Sequence, residues 1–163
     1  PSRSGQGDNH PVVCVSWGDA QAYCDHHDLG LPTEAEWEYG ARGPQGRQYP
    51  WGDDWSADSC CHIGNYGPDG ATFPVGSLWP DTSWCGAQDM AGNVNEWVAD
   101  WYDGSYFAQS SRENPTGPGT GSARVLRGGS WGRAALNIRA ADRYWFTAVS
   151  RYDYLGFRCA RSS

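Results

Sequence analysis

Periodic apolar runs occupy the two ends of this chain, and a long aperiodic stretch lies between them. Pro11-Val12-Val13-Cys14-Val15 is a β-branched run that meets Ser16, a good N-cap, before Asp19-Ala20-Gln21-Ala22-Tyr23-Cys24. This predicts a strand over 11–15 and then a helix from about 17 to 28. Leu29-Gly30-Leu31-Pro32 breaks that helix. Thr33-Glu34-Ala35-Glu36 opens a second one as a capping box, which runs to about Ala41 before Gly43-Pro44 stops it. From Gln45 to Met90 Gly, Pro, Asp and Trp dominate without a period of 3.6 or 2, which predicts long ordered loops with short strand pieces such as Phe73-Pro74-Val75. Asn95 to Tyr102 reads as a strand or a single helical turn with Trp97 and Trp101 inward, and 103–123 as an exposed loop. Arg124 to Trp131 and Leu155 to Ala160 read as two strands bracketing the stretch between them. In that stretch Tyr144-Trp145-Phe146 and Tyr152-Asp153-Tyr154 put five aromatics into 11 residues with neither strict alternation nor a helical stripe. Two readings stand open: these rings complete the core, or they form an exposed aromatic and arginine patch of the composition found in paratopes and interface hot spots. The class is α+β with long loops.

Length and composition narrow the picture. At 163 residues the chain suits a single domain over 1–163, and its 14% aromatic content argues against disorder. All 12 basic residues are Arg, and the net charge of -7 would repel phosphate backbones and anionic lipid, so nucleic acid is a poor partner. No apolar run approaches the length of a membrane span, and Pro1 to His10 is polar and unlike a signal peptide, so no membrane insertion is expected. Six cysteines form no C-x-x-C pair, and the histidines at 10, 26, 27 and 62 lack ligand spacing, which disfavours zinc.

Four segments resemble one family in the right order. They are Pro11 to Trp17 with Ala20 to Cys24; Leu31-Pro32-Thr33-Glu34-Ala35-Glu36-Trp37-Glu38-Tyr39; Asp89-Met90-Ala91-Gly92-Asn93-Val94-Asn95-Glu96-Trp97; and Arg127-Gly128-Gly129-Ser130-Trp131 with Gly156-Phe157-Arg158. This is similar to the formylglycine-generating enzyme (sulfatase-modifying factor) domain. The resemblance implies a C-type-lectin-like core of two helices on a small twisted antiparallel sheet, N-terminally abbreviated, and Trp37, Trp97, Trp131 and Phe157 are expected in that core. It also implies a disulfide between Cys24 and Cys159, against which a buried reduced pair stays open. Enzymes of that family act through two cysteines placed after the Gly-Gly-Ser-aromatic turn, where this chain has Gly132-Arg133-Ala134-Ala135-Leu136-Asn137-Ile138-Arg139 and no thiol. Without a thiolate to serve as nucleophile and metal ligand, the expectation is a protein that is not an enzyme.

Residues 126–158 resemble, more narrowly, the variable region of proteins diversified by retroelements, in which selected adenine-bearing codons are rewritten on a constant scaffold. Substituting an AAC codon at its adenines cannot yield Lys, Glu, Gln, Met or Trp, and between Gly132 and Tyr154 only Trp145 belongs to that set. The resemblance implies ligand-binding positions at Gly132, Arg133, Ala134, Leu136, Tyr144, Trp145, Phe146, Val149, Tyr152, Asp153 and Tyr154. The ligand would be a macromolecule, in the first instance a protein, with the domain displayed on a cell or virion surface. Asp89, Asn93 and Glu96 supply hard oxygens within eight residues, and Gly92 permits a tight turn. The family resemblance implies structural Ca²⁺ held by the side chains of Asp89 and Glu96 and the carbonyls of Gly92 and Val94, with a second site in the Asn65 to Asp69 loop. The alternative is that these acids only hydrogen-bond their loop. Two rival functions are an oxidase of the formylglycine-generating type and a calcium-dependent lectin, the latter lacking the Glu-Pro-Asn or Gln-Pro-Asp triplet.

Overall fold

The computed structural model describes residues 6–67, 70–79 and 81–161. Helices α1 (Trp17–His26) and α2 (Glu34–Arg42) precede four short strands, β1 (Asn95–Trp101), β2 (Arg124–Arg127), β3 (Tyr144–Phe146) and β4 (Leu155–Phe157). Each helix begins where a side chain satisfies the orphan amides of its first turn. Ser16 caps α1 and Asp19 reaches back to it, while Thr33 and Glu36 do the same for α2, so both starts are capping boxes. The expected strand over 11–15 does not form, because Cys14 adopts a φ of 61°, outside the extended region. Phe73-Pro74-Val75 is likewise not a strand, although the Val75 amide donates to the Asn9 carbonyl.

The sheet has the order β3-β2-β1-β4. β1 pairs antiparallel with β2 and β2 antiparallel with β3, but β4 lies parallel to β1, so the sheet is mixed rather than purely antiparallel. Adjacent residues of a strand face opposite sides, and each helix serves one side. Trp97, Leu126 and Leu155 pack with Ala20, Cys24 and Leu31 on the α1 side. Val98 and Val125 pack with Trp37, Ala41, Met90 and Ala140 on the α2 side. A disulfide joins Cys24 in α1 to Cys159 just after β4. Of the four aromatics expected inside, Trp37 and Trp97 are fully buried, whereas Trp131 and Phe157 are only partly so. Trp131 follows the turn out toward the surface, its indole beside Tyr66, and Phe157 sits on an edge strand against Tyr23.

The turn after β2 explains its glycines. Gly129 has a φ of 74°, and a Cβ there would lie 2.6 Å from the Asn137 carbonyl oxygen. The chain is thereby folded back, and after residues 132–143 it returns as β3 alongside β2. No helix among the described residues is long and apolar enough to cross a membrane.

Candidate functional site

β3 is the element the sequence pattern conceals. It pairs Leu126 with Tyr144, Val125 with Trp145 and Arg124 with Phe146, so its side chains alternate after all. Tyr144 and Phe146 lean on the α1-side cluster, while Trp145 stacks on Tyr102 with centroids 4.2 Å apart. From Phe146 the aromatic contact continues to Tyr152 at 5.1 Å, and Tyr152 stacks on Tyr154 at 5.1 Å. The Arg133 guanidinium covers the Tyr144 ring at 4.2 Å. Trp145 is 44% exposed and Tyr152 42%, so neither is consumed by the core. Burial pushes the pKa of Tyr154 up, which keeps its hydroxyl a neutral donor at neutral pH.

A buried charge network holds this surface in place. Arg143, just before β3, makes a two-point contact with Glu34 through Nε at 2.6 Å and Nη2 at 2.7 Å, and its guanidinium lies over the rings of Tyr102 and Phe107. Arg127 of β2 donates to Glu34 at 3.1 Å and to Glu38 at 2.6 Å, and to the Ala140 carbonyl at 2.7 Å. Burial pushes the pKa of Arg127 down, opposed by Glu34 and Glu38. Glu34 therefore ties α2, β2 and the approach to β3 together. The two-point contact also fixes the planar orientation of the Arg143 fork on that carboxylate.

Ten of the eleven positions expected to bind ligand fall into two groups. Arg133, Tyr144, Trp145, Phe146, Tyr152 and Tyr154 form one connected cluster of rings and a cation. Gly132, Ala134, Leu136 and Val149 are exposed, the last two at 64% and 76%, and no ring contact joins them to that cluster. Asp153 is half-buried, and its carbonyl accepts from the Trp131 indole. Three members escape the sequence reading: Tyr102, Phe107 and Arg143. Tyr102 stands one residue past the end of β1, and the Tyr106-Phe107 pair in the following loop was the available signal.

The acids expected to hold calcium are also brought together, but around an arginine. Glu96 of β1 accepts from Arg158 Nη2 through Oε1 at 2.6 Å, and from Arg158 Nε and Trp37 Nε1 through Oε2, both at 2.6 Å. Arg158 Nη2 further donates to the carbonyls of Gln88 and Asp89. The Asp89 carboxylate accepts from the Gly76 amide at 2.7 Å. With three donors on Glu96, and a guanidinium where the oxygens converge, this arrangement does not fit a calcium ion. Among the described residues no group of three or more His, Cys, Asp or Glu side chains is set to hold a metal. Gly92 takes a φ of 77° and packs against the Cys61 carbonyl, and Val94 is buried. The second expected site cannot be followed, since Asp69 lies outside the described residues. This cluster opens on a cleft of about 1070 Å³ between Tyr23, Val75 and Phe157, away from the β3 surface.

Residues 1–163 match the family described as the sulfatase-modifying factor enzyme 1-like domain. The chain is 45% identical to a formylglycine-generating enzyme of Streptomyces coelicolor over 95% of its own length and 54% of that protein. It is 41% identical to one from Thermomonospora curvata, covering 93% and 55%. A mouse protein named inactive C-alpha-formylglycine-generating enzyme 2 is 38% identical, covering 94% and 49%. The chain thus spans about half the length of these relatives. Among solved structures, Treponema denticola variable protein 1 superposes with a TM-score of 0.80 at 27% identity, covering 96% of this chain and 73% of that one. PvdO from Pseudomonas aeruginosa superposes at 0.81 with 32% identity, covering 97% and 64%. The α+β architecture of two helices and a small sheet is shared with these neighbours. One expectation is overturned: a protein without enzymatic activity is not what relatives 45% and 41% identical and named as enzymes point to.

Proposed function

Because the chain belongs to the sulfatase-modifying factor enzyme 1-like domain family, we propose that it captures a polypeptide ligand on the aromatic surface built by β3 and residues 147–154. The observation that carries this is the run of ring contacts from Arg133 through Tyr144 and Phe146 to Tyr152 and Tyr154, half-buried on the core side with Tyr152 and the neighbouring Trp145 exposed, beside the ion-pair network of Arg143 and Glu34. Rigid aromatics offer contact area at low entropic cost, which suits recognition of an irregular macromolecular surface. The finer reading is a surface diversified by a retroelement. The bracketing Leu126 to Trp131 and Leu155 to Arg158 segments and the likeness to Treponema denticola variable protein 1 support it. The source genome tests it directly: a neighbouring reverse-transcriptase gene and a near-copy of the DNA for residues 126–158 differing at adenines are expected.

Binding itself is tested by selecting a displayed random-peptide library on the wild-type domain and on a folded variant with Tyr144, Trp145, Phe146 and Tyr152 changed to Ser. Peptides enriched on wild type should fail on the variant. Enrichment that ignores the four changes would dismiss the surface.

The names of the Streptomyces and Thermomonospora relatives favour a second reading, in which the captured polypeptide is also a substrate oxidised at a cysteine. Of the free cysteines among the described residues only Cys85 is exposed, and burial pushes the Cys60 pKa up to about 12. Mass spectrometry of a cysteine-containing sulfatase peptide after incubation with the protein and oxygen decides this reading. Formylglycine supports it, and unchanged cysteine dismisses it.

A further inference from the structure

We infer that the free edge of β3 receives an extended, acidic segment of a partner polypeptide as an added strand, an inference resting on the reading above that this surface binds a polypeptide. The sheet has two edges, and they are treated differently. Along β4, the Val12 carbonyl lies so close that a Cβ on Gly156 would come within 2.7 Å of it, and the Cys14 amide donates to the Tyr152 carbonyl nearby. Along β3, Tyr144, Trp145 and Phe146 make no backbone hydrogen bond to any described residue except across to β2. An unpaired edge of this kind presents amides and carbonyls at strand spacing, and proteins usually guard it with Lys, Pro or a bulge. β3 carries no Lys, Pro or bulge, the register shift of this sheet falling between β1 and β2, and its shortness at three residues is the one guard it has.

The side chains flanking the edge suit an incoming strand. Tyr144 and Phe146 with Tyr152 stand on one face of the sheet, and Trp145 with Tyr102 on the other. A strand laid beside β3 would send alternate side chains to each group, so main-chain bonds would supply attraction and the two aromatic faces selectivity.

Charge selects the class of partner. Residues 1–123 carry four arginines against seventeen acids, whereas 124–163 carry eight arginines against two aspartates. Most of the eight are already committed: Arg127, Arg143 and Arg158 to glutamates, Arg151 to Asp19, Arg139 to Asp142, and Arg124 between the rings of Trp17 and Trp101. Arg133 is half-buried over Tyr144, in β3 itself, and pairs with no carboxylate of the described residues. A cation there that makes no ion pair with a described carboxylate favours Glu or Asp in the added strand. The molecule's overall charge of -7 weighs against a nucleic acid on the same rings.

The test uses the disulfide-intact chain and fluorescent, end-blocked heptapeptides of alternating Val and Thr whose central residue is Glu or Lys. Each is made plain, N-methylated at odd positions, or N-methylated at even positions. Strand addition requires that one methylation register abolish binding and the other spare it, because only one edge of the peptide faces β3. The Glu peptide should bind about tenfold more tightly than the Lys peptide, and Arg133→Gln should erase that difference. Equal tolerance of both registers, with binding still lost in the aromatic-to-Ser variant, overturns strand addition while leaving polypeptide capture standing. No binding by any peptide overturns both. Preference for an oligo(dT) probe over every peptide overturns the choice of partner.

Discussion

Both carboxylate oxygens of Asp81 are buried, in a side chain only 1% exposed, with the Asp89 backbone amide as a weak donor beside them. Burial, reinforced by Asp89, pushes its pKa up to about 8 from an ordinary 3.8, with Arg158 opposing. A raised carboxyl pKa means that the folded state binds the proton more tightly than the unfolded chain does. Its contribution to stability is complete below 3.8 and is lost as pH rises toward about 8. Asp81→Asn keeps the shape and removes the titration, so the variant should lose less stability than wild type between pH 6 and 8, where few other groups titrate. Parallel denaturant midpoints for the two proteins across that range would show Asp81 to be ionised and solvated. A second residue-scale prediction concerns Arg158. Since its guanidinium already neutralises Glu96, chelator should leave the melting temperature of the wild type unchanged. A chelator-dependent fall, with calcium found in the purified protein, would mean that Arg158 yields Glu96 to the ion.

The helices were legible because their starts are written in a few adjacent residues. Thr33 and Glu36 form the box that the pattern predicts, and Thr33→Ala should cost about 1 kcal/mol in denaturant melts. A loss indistinguishable from zero would mean that the helix start is held by packing alone. β3 was illegible for a physical reason. Its three residues are all aromatic, so no polar residue marks the outward position, and alternation is created only by pairing with Val125 and Leu126. The expected strand over 11–15 failed for the opposite reason: β-branched composition is a preference that one residue in the left-handed region overrides. Tyr102 at the end of β1 and Phe107 in the loop after it reach the site by a proximity that no local pattern encodes. The difference between core and surface aromatics is measurable. Trp37→Ala and Trp97→Ala should each cost roughly 3–5 kcal/mol, whereas replacing Trp145, Val149 and Tyr152 with Ser should cost no more than about 0.5 kcal/mol each. Comparable losses for both sets would place the β3 surface inside the core.

At the scale of the whole molecule, the two helices and the sheet account for few of the residues, and long loops must be held by contacts far apart in sequence. The disulfide is the covalent tie among these, spanning 135 residues from α1 to the segment after β4. A cross-link closing a loop of that length removes much of the freedom of the unfolded chain, and chain entropy alone sets its contribution at up to about 5 kcal/mol. Cys24 is also part of the α1-side core, beside Ala20, Trp97 and Leu155, so the bond fixes the helix against the same residues that support Tyr144 and Phe146 from below. Replacing Cys24 and Cys159 with Ala should therefore lower stability by roughly 3–5 kcal/mol in denaturant melts, partly through the unfolded state and partly through the lost packing of Cys24. Because β3 is anchored through β2, Arg143 and Glu34 rather than through the cross-link, ring contacts at the binding surface should persist in whatever fraction stays folded. Near-ultraviolet circular dichroism, dominated here by stacked Trp and Tyr, reports on both: its native signal should be retained below the transition and the midpoint should move to lower denaturant. An unchanged midpoint would show that the loops are held by core packing without help from the cross-link, and a lost signal before the transition would show that the aromatic surface depends on the disulfide.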